Sequence, residues 1–306
     1  MVAAVLMALT TSAFSQVPER NTSDARRWDV VLAPVPVRRA ESSRPQGTAD
    51  AAIADFDRAI KLEPRKADNF LGRGLVYLEQ RDIDRAVGDF DQAIKLNPRH
   101  TVAILNRAEA YRAAGDLKRA VQDYGLLIRI NPKDSQAYYR RGLAQRELQD
   151  FDRALEDFSQ MIHIDGDSLQ GCYNRGLVFY DMRRYERAIR EFDRAIDAKP
   201  NYAPAFNLRG MAYVALGETQ RSAQDFDQAI QLDGRLANAF INRGNLHQSA
   251  HRYDRALADY SAAIEINPQD AYSLYSRGLT MRALGMETEA RLDLDKAKEI
   301  EPGIGP

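Results

Sequence analysis

The sequence predicts an all-α fold built from repeated helical hairpins, and two observations lead to this prediction. Nearly identical segments, FDRAIKLEP and FDQAIKLNP, begin 34 residues apart at positions 56 and 90. A helix-breaking residue then recurs every 34 residues, and each interval holds two stretches with helical spacing of apolar residues. The recurring breakers are Pro64, Pro98, Pro132, Gly166, Pro200, Gly234, Pro268 and Pro302.

Composition and charge narrow the classes of function. The chain has 306 residues, 44% of them apolar and 28% charged, which is typical of a globular protein. Its 43 basic and 44 acidic residues nearly cancel, so the concentrated basic face of a nucleic-acid binder is not expected. No stretch reaches the roughly 20 apolar residues of a membrane span. The single cysteine, Cys172, excludes an intramolecular disulfide.

The N-terminus has features of a secretory signal. An apolar run at 2–9 is followed by small residues, with Ala13 and Ser15 placed as in a signal-peptidase site. We therefore predict a signal peptide at 1–15 and an exported protein, either periplasmic or secreted. No Lys or Arg precedes Arg20, so the alternative that this run is not a signal, which would leave the protein cytoplasmic, stays open.

A segment rich in Pro, Arg and Ser at 16–46 is predicted to be a linker or extended arm. The repeat domain is predicted at 47–302, followed by a tail at 303–306. Its first unit, 31–64, is degenerate, because prolines disrupt its first helix. The seven full repeats that follow are 65–98, 99–132, 133–166, 167–200, 201–234, 235–268 and 269–302. We number positions 1–34 within each repeat and call its two helices A and B.

Small residues recur where the two helices of each hairpin should meet. Position 10 is Gly in six repeats and Ala108 in the other, and position 22 is Ala or Ser in all seven. Glycine inside a helix costs about 1 kcal/mol relative to alanine, so close approach of the partner helix is the gain that explains it. The fourth repeat shows the whole pattern at Gly176, Tyr180, Ala188, Phe192, Ala195 and Pro200.

This pattern resembles the tetratricopeptide repeat family, of bacterial type, over about seven and a half repeats without an insertion. The resemblance implies a right-handed α-solenoid, a superhelix of stacked antiparallel helix-turn-helix repeats whose A helices line a concave groove. It also implies a non-enzymatic scaffold for protein–protein interactions.

An arginine precedes the small residue of helix A in every repeat, where the family usually has an apolar side chain. Position 25 of helix B is acidic in every repeat and should stand level with it, so we predict seven ion pairs that set hairpin geometry. A row of anion-binding arginines is the alternative. The arginines are Arg73, Arg107, Arg141, Arg175, Arg209, Arg243 and Arg277, and the acids are Asp89, Asp123, Asp157, Glu191, Asp225, Asp259 and Asp293.

The candidate site is the face of helix A opposite its core positions, formed by positions 4, 7, 8, 11 and 14. Leu and Tyr that no core is expected to require alternate there with Asn, which suits an extended peptide. The predicted groove residues are Leu71, Leu75, Leu105, Asn106, Tyr139, Arg140, Leu143, Tyr173, Asn174, Leu177, Tyr180, Asn207, Ile241, Asn242, Asn245, Tyr275 and Leu279. The asparagines either contact a peptide backbone or are simply tolerated on a wet face.

No catalytic, metal or cofactor motif is recognised. His247 and His251 lie four residues apart, but His247 occupies a core position and no third ligand is evident. Cys172 stands at a position held elsewhere by phenylalanine and is read as a buried hydrophobe. The carboxylate clamp of chaperone-binding relatives is matched at Asn106 and Arg140 but not at its other three positions.

The sequence thus predicts a non-enzymatic scaffold or adaptor that binds a peptide segment of a protein partner in its groove, without a cofactor. A structural module that self-associates through convex or edge surfaces is the alternative. The oligomeric state is left open.

Overall fold

The computed structural model describes residues 46–305, so the predicted signal peptide and nearly all of the predicted linker lie outside the described residues. The chain divides into two compact units, of which the first extends to Arg183 and the second begins at Arg184. Within the described range every element is an α-helix and there is no strand.

The first unit holds eight helices in residues 46–183. They are α1 (Gln46–Leu62), α2 (Ala67–Glu79), α3 (Ile83–Leu96), α4 (Thr101–Ala113), α5 (Leu117–Ile130), α6 (Ser135–Glu147), α7 (Phe151–Asp165) and α8 (Leu169–Asp181). The hairpins are α2 with α3, α4 with α5 and α6 with α7, and each B helix also packs on the A helix that follows it. Helix α1 is the B helix of the degenerate unit and packs on α2.

The second unit holds seven helices in residues 184–305. They are α9 (Tyr185–Ala198), α10 (Ala203–Ala215), α11 (Thr219–Leu232), α12 (Ala237–Ser249), α13 (Tyr253–Ile266), α14 (Ala271–Ala283) and α15 (Glu287–Ile300). Its hairpins are α10 with α11, α12 with α13 and α14 with α15, and they stack in the same order as in the first unit. None of the helices in the described range is long and apolar enough to cross a membrane.

Each hairpin turns at position 17, which has a positive φ in all seven repeats. Glycine occupies this position in three repeats, where the left-handed backbone costs it nothing. The other four repeats place Arg81, Gln149, Arg183 and His251 there, with φ between 55° and 61°. In the first two full repeats the next residue, Asp82 or Asp116, caps helix B by accepting a hydrogen bond from the backbone three residues on.

The helix A glycines make room for the ring at position 26 of helix B. A Cβ added to Gly74 would lie 2.7 Å from the Phe90 ring, and one added to Gly210 would lie 2.7 Å from the Phe226 ring. Contacts under 3.0 Å are essentially not tolerated. The predicted close approach of the two helices is therefore confirmed. The side chain at position 26 requires it, and this is an aromatic ring opposite Gly74 and Gly210 but Leu294 opposite Gly278.

Six of the predicted arginine–acid pairs are present, and each joins helix A to helix B within one hairpin. In the first full repeat, Arg73 Nε and Nη2 donate to Asp89 at 2.8 and 2.7 Å. The other five have the same form at Arg107, Arg141, Arg209, Arg243 and Arg277. Arg175 and Glu191 belong to different units, so that pair stays a prediction.

The acids of these pairs are buried, and their burial limits how much the pairs contribute to stability. Asp157 has a side chain only 3% exposed, and burial raises its pKa while the hydrogen bond from Arg141 opposes that rise. The hydrogen bonds that Arg73 donates to Asp89 raise the pKa of Arg73. Because desolvation offsets much of the attraction, such pairs set geometry more than they add stability.

Five of these six arginines also link successive repeats, an interaction that the sequence analysis did not predict. Their remaining nitrogen Nη1 reaches position 27 of the preceding helix B, as in Arg107 to Asp91 at 2.6 Å and Arg243 to Asp227 at 2.6 Å. Position 27 is acidic in most repeats, so this signal was available in the sequence. One guanidinium therefore holds a hairpin together and joins it to its neighbour.

Candidate functional site

Successive A helices lie side by side in each unit. Their Cα atoms approach within 8 Å between α2 and α4 and between α6 and α8 in the first unit. The second unit shows the same between α10 and α12 and between α12 and α14. The predicted groove face is therefore a surface shared by neighbouring helices.

The predicted groove residues divide into two sets by exposure. Nine are partly exposed, namely Leu71, Leu75, Leu105, Tyr139, Arg140, Leu143, Tyr180, Asn245 and Leu279. Eight are buried, namely Asn106, Tyr173, Asn174, Leu177, Asn207, Ile241, Asn242 and Tyr275.

The expectation that no core requires these leucines and tyrosines is wrong for several of them. Tyr275 belongs to a core cluster with Leu274 and Leu294, and Ile241 is 2% exposed. The reason is that helix B and the neighbouring chain cover side chains that an isolated helix A would leave exposed, as Leu294 and Ile304 do for Tyr275. Whether either set binds a peptide stays a prediction.

The asparagines are also buried, and their amides already have partners. Asn106 Nδ2 donates to the Val102 carbonyl of its own helix at 2.8 Å. Asn174 does the same to Gln170. Asn242 Nδ2 donates across to Asn207 Oδ1 at 2.9 Å and so joins α12 to α10. These amide hydrogen bonds stabilise the A helices and the contact between two of them. A peptide contact would have to use the amide donors and acceptors that these bonds leave unused.

An ionic cluster on the face of the first unit is centred on Glu109. Its Oε1 accepts from Tyr124 Oη at 2.9 Å and from Arg140 Nη1 at 2.6 Å, and its Oε2 accepts from Arg112 at 3.0 Å. Burial raises the pKa of Tyr124 and Glu109 raises it further, so the hydroxyl stays protonated and donates. Arg140 thereby ties α6 to α4.

A cavity of about 200 Å³ lies beside this cluster, between α4, α5 and the start of α6. Its walls include Val102, Leu105 and Leu127, with Gln136 and Arg140 at the polar side. Gln136 Oε1 is buried and has no hydrogen-bond partner among the protein atoms of the described chain. Two predicted groove residues, Leu105 and Arg140, are thus brought together around one cavity.

The second unit carries a neutral cluster at the corresponding place. Asn245 Oδ1 accepts from Tyr260 Oη at 2.7 Å and from Tyr272 Oη at 3.4 Å. Tyr260 Oη also lies 2.8 Å from Gln248 Oε1, so its one proton is shared between two acceptors. Burial raises the pKa of Tyr260, which keeps that proton in place.

These two clusters were missed because they depend on a match between positions 26 and 11. Where position 26 is tyrosine, as at Tyr124 and Tyr260, position 11 is a polar residue, Glu109 or Asn245. Where position 26 is phenylalanine, position 11 of the same repeat is Leu or Met. A buried hydroxyl needs an acceptor, so comparing these two positions across the repeats would have revealed both clusters.

The two histidines considered for metal binding, His247 and His251, contact different side chains. His251 Nδ1 lies 2.8 Å from Tyr253 Oη, while His247 lies 3.9 Å from Asp259 and its side chain is 14% exposed. Burial lowers the pKa of His247. Cys172 is buried. Within residues 46–305 no three His, Cys, Asp or Glu side chains are grouped as metal ligands.

The partial match to a carboxylate clamp is weakened further by the contacts of its two matching residues. Arg140 is paired with Glu109, and Asn106 is hydrogen-bonded to its own helix.

Sequence comparison shows the family. The profile of the tetratricopeptide repeat family matches residues 39–101, 71–135, 105–168 and 173–237, and a second tetratricopeptide repeat profile matches 237–270. These matches cover more than half of the chain, which therefore belongs to the tetratricopeptide repeat family. No curated protein sequence matches it.

Solved structures show the same fold. A tetratricopeptide repeat protein from Parabacteroides merdae is 22% identical with a TM-score of 0.57, over 77% of this chain and 93% of that one. The pilF protein of Pseudomonas aeruginosa is 17% identical with a TM-score of 0.58, over 66% and 92% of the two chains. A thermophilic repeat protein of Thermus thermophilus is 23% identical with a TM-score of 0.50, over 60% and 99%. The predicted all-α solenoid class is confirmed.

Proposed function

We propose that this protein is a non-enzymatic scaffold whose helix A face binds a peptide segment of a protein partner. Membership of the tetratricopeptide repeat family supports a protein-interaction role. The observation that carries the finer proposal is the cavity beside Leu105 and Arg140, where an apolar wall meets a buried acceptor without a protein donor. An unfilled apolar cavity and an unpaired buried acceptor do not stabilise the folded chain. A bound peptide can fill the cavity and donate a hydrogen bond to the acceptor.

The test is site-specific photo-crosslinking in cells. A photoreactive phenylalanine replaces Tyr139, on the helix A face of α6, and as a matched control it replaces Gln160, exposed on the B helix α7. The proposal expects an adduct with another protein from Tyr139 and not from Gln160. Equal adducts from both sites, or adducts from Gln160 alone, would move binding off the helix A face.

Self-association is the second candidate, and exposed leucines on the end helices favour it. Leu62 on α1 and Leu292 on α15 are 83% and 69% exposed. Sedimentation of the full chain at rising concentration separates the candidates. A monomer throughout supports peptide binding, whereas oligomers that Leu62→Lys or Leu292→Lys dissociates support assembly.

We also propose that the protein is exported. The support is the apolar run and the small residues of the first fifteen positions. N-terminal sequencing of the protein from fractionated cells tests it. A chain that begins at Gln16 outside the cytoplasm is expected, and a cytoplasmic chain that retains residues 1–15 would contradict export.

A further inference from the structure

We propose that residues 35–44 of this chain pack on α1 and complete the degenerate repeat as a helical hairpin. This inference concerns the N-terminal side of the array and does not depend on the proposed function. Three observations carry it: exposed core positions of α1, a constant spacing between partners in every hairpin, and the start of the family match. Residues 35–44 lie outside the described residues, and Pro45 connects them to α1.

Helix α1 carries the side chains of a covered B helix without the cover. Position 22 is Ala or Ser and position 26 is an aromatic residue or Leu294 in the full repeats, and all of these side chains are buried. Their counterparts in α1, Ala52 and Phe56, are partly exposed. Ala59, at position 29, is partly exposed as well, whereas this position is buried in every full repeat. The core face of α1 therefore lacks a packing partner within the described chain.

The same helix carries an acid that is not buried. Position 25 is buried in every full repeat, and in six hairpins its acid accepts hydrogen bonds from the arginine at position 9 of helix A. Its counterpart Asp55 has a side chain 68% exposed and forms an ion pair with Arg58, three residues further along α1. Such an exposed pair adds little stability, so Asp55 remains available to an arginine from outside the helix.

A constant spacing identifies the segment that fits this face. In each of the six hairpins the arginine lies 16 residues before its acid. The small residue of helix A likewise lies 16 residues before the side chain at position 26. Counting back by the same interval from Asp55 and Phe56 gives Arg39 and Ala40. The segment therefore offers a guanidinium and a small side chain in the register that every hairpin uses.

The family match and the prolines agree with this register. The tetratricopeptide repeat profile matches from residue 39 onwards, so the match begins before α1 and includes part of the segment. Pro36 falls near the start of the segment and Pro45 follows it, which leaves 37–44 without a proline. Proline is tolerated in the first turn of a helix, as Pro204 shows at the start of α10. About two helical turns are therefore available around Arg39.

The connection to α1 favours the segment of the same chain over another occupant. Only residues 41–45 separate Ala40 from Gln46, the first residue of α1. So short a tether keeps the segment at a high local concentration. Helix α1 begins three residues before position 19, where the other B helices begin, and it includes Gly47 at position 17. Glycine suits the left-handed turn of that position, so residues 46–48 form the turn when the segment packs.

The test is disulfide trapping in the full chain. Cysteines replace Ala40 and Ala52, at positions 10 and 22, and mild oxidation is followed by peptide mass spectrometry and a non-reducing gel. Cys172 stays in place because it is buried. The positive control is Ala108→Cys with Ala120→Cys, the same two positions in a described hairpin, both of them buried. The negative control pairs Arg26→Cys, from outside the segment, with Ala52→Cys. Circular dichroism melting shows that each variant is folded.

The proposal expects a disulfide within one chain between the cysteines at positions 40 and 52, because a disulfide forms only where the two Cα atoms lie within about 7 Å. Its yield should be close to that of the positive control and about fivefold or more above that of the negative control. A disulfide that joins two chains would show that a second copy supplies the cover. A yield no higher than that of the negative control would show that α1 has no such cover. Either result overturns the proposal.

Amide hydrogen exchange supplies a second measurement that needs no cysteine. Arg39→Met removes the guanidinium proposed for Asp55, and Arg38→Met is the matched control, since it removes the same charge one residue earlier. Exchange at residues 52–60 of α1 should become about tenfold faster in Arg39→Met and change less than about twofold in Arg38→Met. The hairpin of α4 and α5 should exchange alike in both variants. Equal exchange of α1 in the two variants would overturn the pairing and the register that it fixes.

Discussion

The second and sixth full repeats, one in each unit, have the same hairpin and opposite chemistry. In both, a tyrosine at position 26 donates to position 11 on the helix A face, as Tyr124 to Glu109 and as Tyr260 to Asn245. Arg112 and Arg140 surround Glu109, whereas Gln248 and Ser276 occupy the corresponding repeat positions near Asn245. One scaffold position thus carries an ionic site in one unit and a neutral amide site in the other.

The comparison separates the positions that hold the hairpin together from the positions on the helix A face. Position 9 and position 25 are the same in both repeats, and their arginine–acid pairs have the same geometry. Position 11 varies freely because its side chain lies on the face, provided that it satisfies the hydroxyl beneath it. The chemistry of this face therefore differs between repeats while the hairpin geometry stays the same.

The largest expected effect comes from breaking the arginine–acid pair that the two hairpins share. Arg107→Met leaves Asp123, whose side chain is 4% exposed, as an uncompensated buried charge. We expect a loss of about 3–5 kcal/mol in urea unfolding, and Arg243→Met should act alike in the sixth repeat. Adding Asp123→Leu to Arg107→Met should restore most of the loss. If the double variant stays as unstable as the single one, the buried charge is not the cause.

A smaller effect is expected from exchanging the carboxylate and the amide at position 11 of the two repeats. Asn245→Asp places a carboxylate among hydroxyls and amides without a guanidinium, and we expect it to cost about 1–3 kcal/mol. Because burial disfavours the charged form, that cost should shrink as pH falls towards the pKa of the new carboxyl. Glu109→Gln should cost a similar amount, since it leaves two arginines without their acid. A cost of Asn245→Asp that does not shrink as pH falls would contradict the assignment.

The sixth repeat has a hydrogen bond to the following repeat that the second repeat lacks. Supplying this bond should raise the free energy of unfolding. Arg277 Nη1 donates to Ser261 at position 27, but the equivalent neighbour of Arg141 is Gly125, whose added Cβ would lie 3.5 Å from Arg141 Nη1. Gly125→Asp should add about 0.5–1.5 kcal/mol, measured by chemical denaturation. Gly88→Asp, in open space on α3, controls for helix propensity. Equal gains in both variants would exclude a new link to Arg141.

The smallest effect concerns pH. Position 13 is Tyr111 in the second repeat and His247 in the sixth, and burial lowers the pKa of His247 below its ordinary value of 6.5. The unfolded chain therefore binds the proton more readily, so the contribution of this histidine is complete above about pH 6.5 and is lost as pH falls below it. Unfolding midpoints should drop less for His247→Gln than for the wild type between about pH 7.5 and pH 5.5. Parallel drops would contradict a role for His247.

Much of the fold follows from the sequence because it depends on local spacing. Helical period, breakers at one interval and small residues at position 10 act within a few turns of chain, so their consequences can be read directly. The arginine–acid pairs were also predictable, since both partners sit at a fixed distance from the same turn at position 17. Six of these pairs are present in the described residues.

The exposure of the helix A face was predicted only in part, because helical spacing describes each helix in isolation. Position 7 illustrates the limit: Leu105 is partly exposed and lines a cavity, whereas Ile241 and Tyr275 are buried. The spacing within a repeat is identical in all three cases. What differs is the neighbouring chain that covers each side chain, which for Tyr275 includes Leu294 and Ile304.

The repeat, its hairpins and the ion pairs that fix them follow from the sequence, since these interactions join residues a constant number of positions apart. The accessibility of the face residues, the reach of Arg140 to Glu109 and the place of the cavity beside them follow from the packing of successive repeats. Those outcomes depend on the spacing between repeats, which many weak contacts determine jointly and no short pattern records.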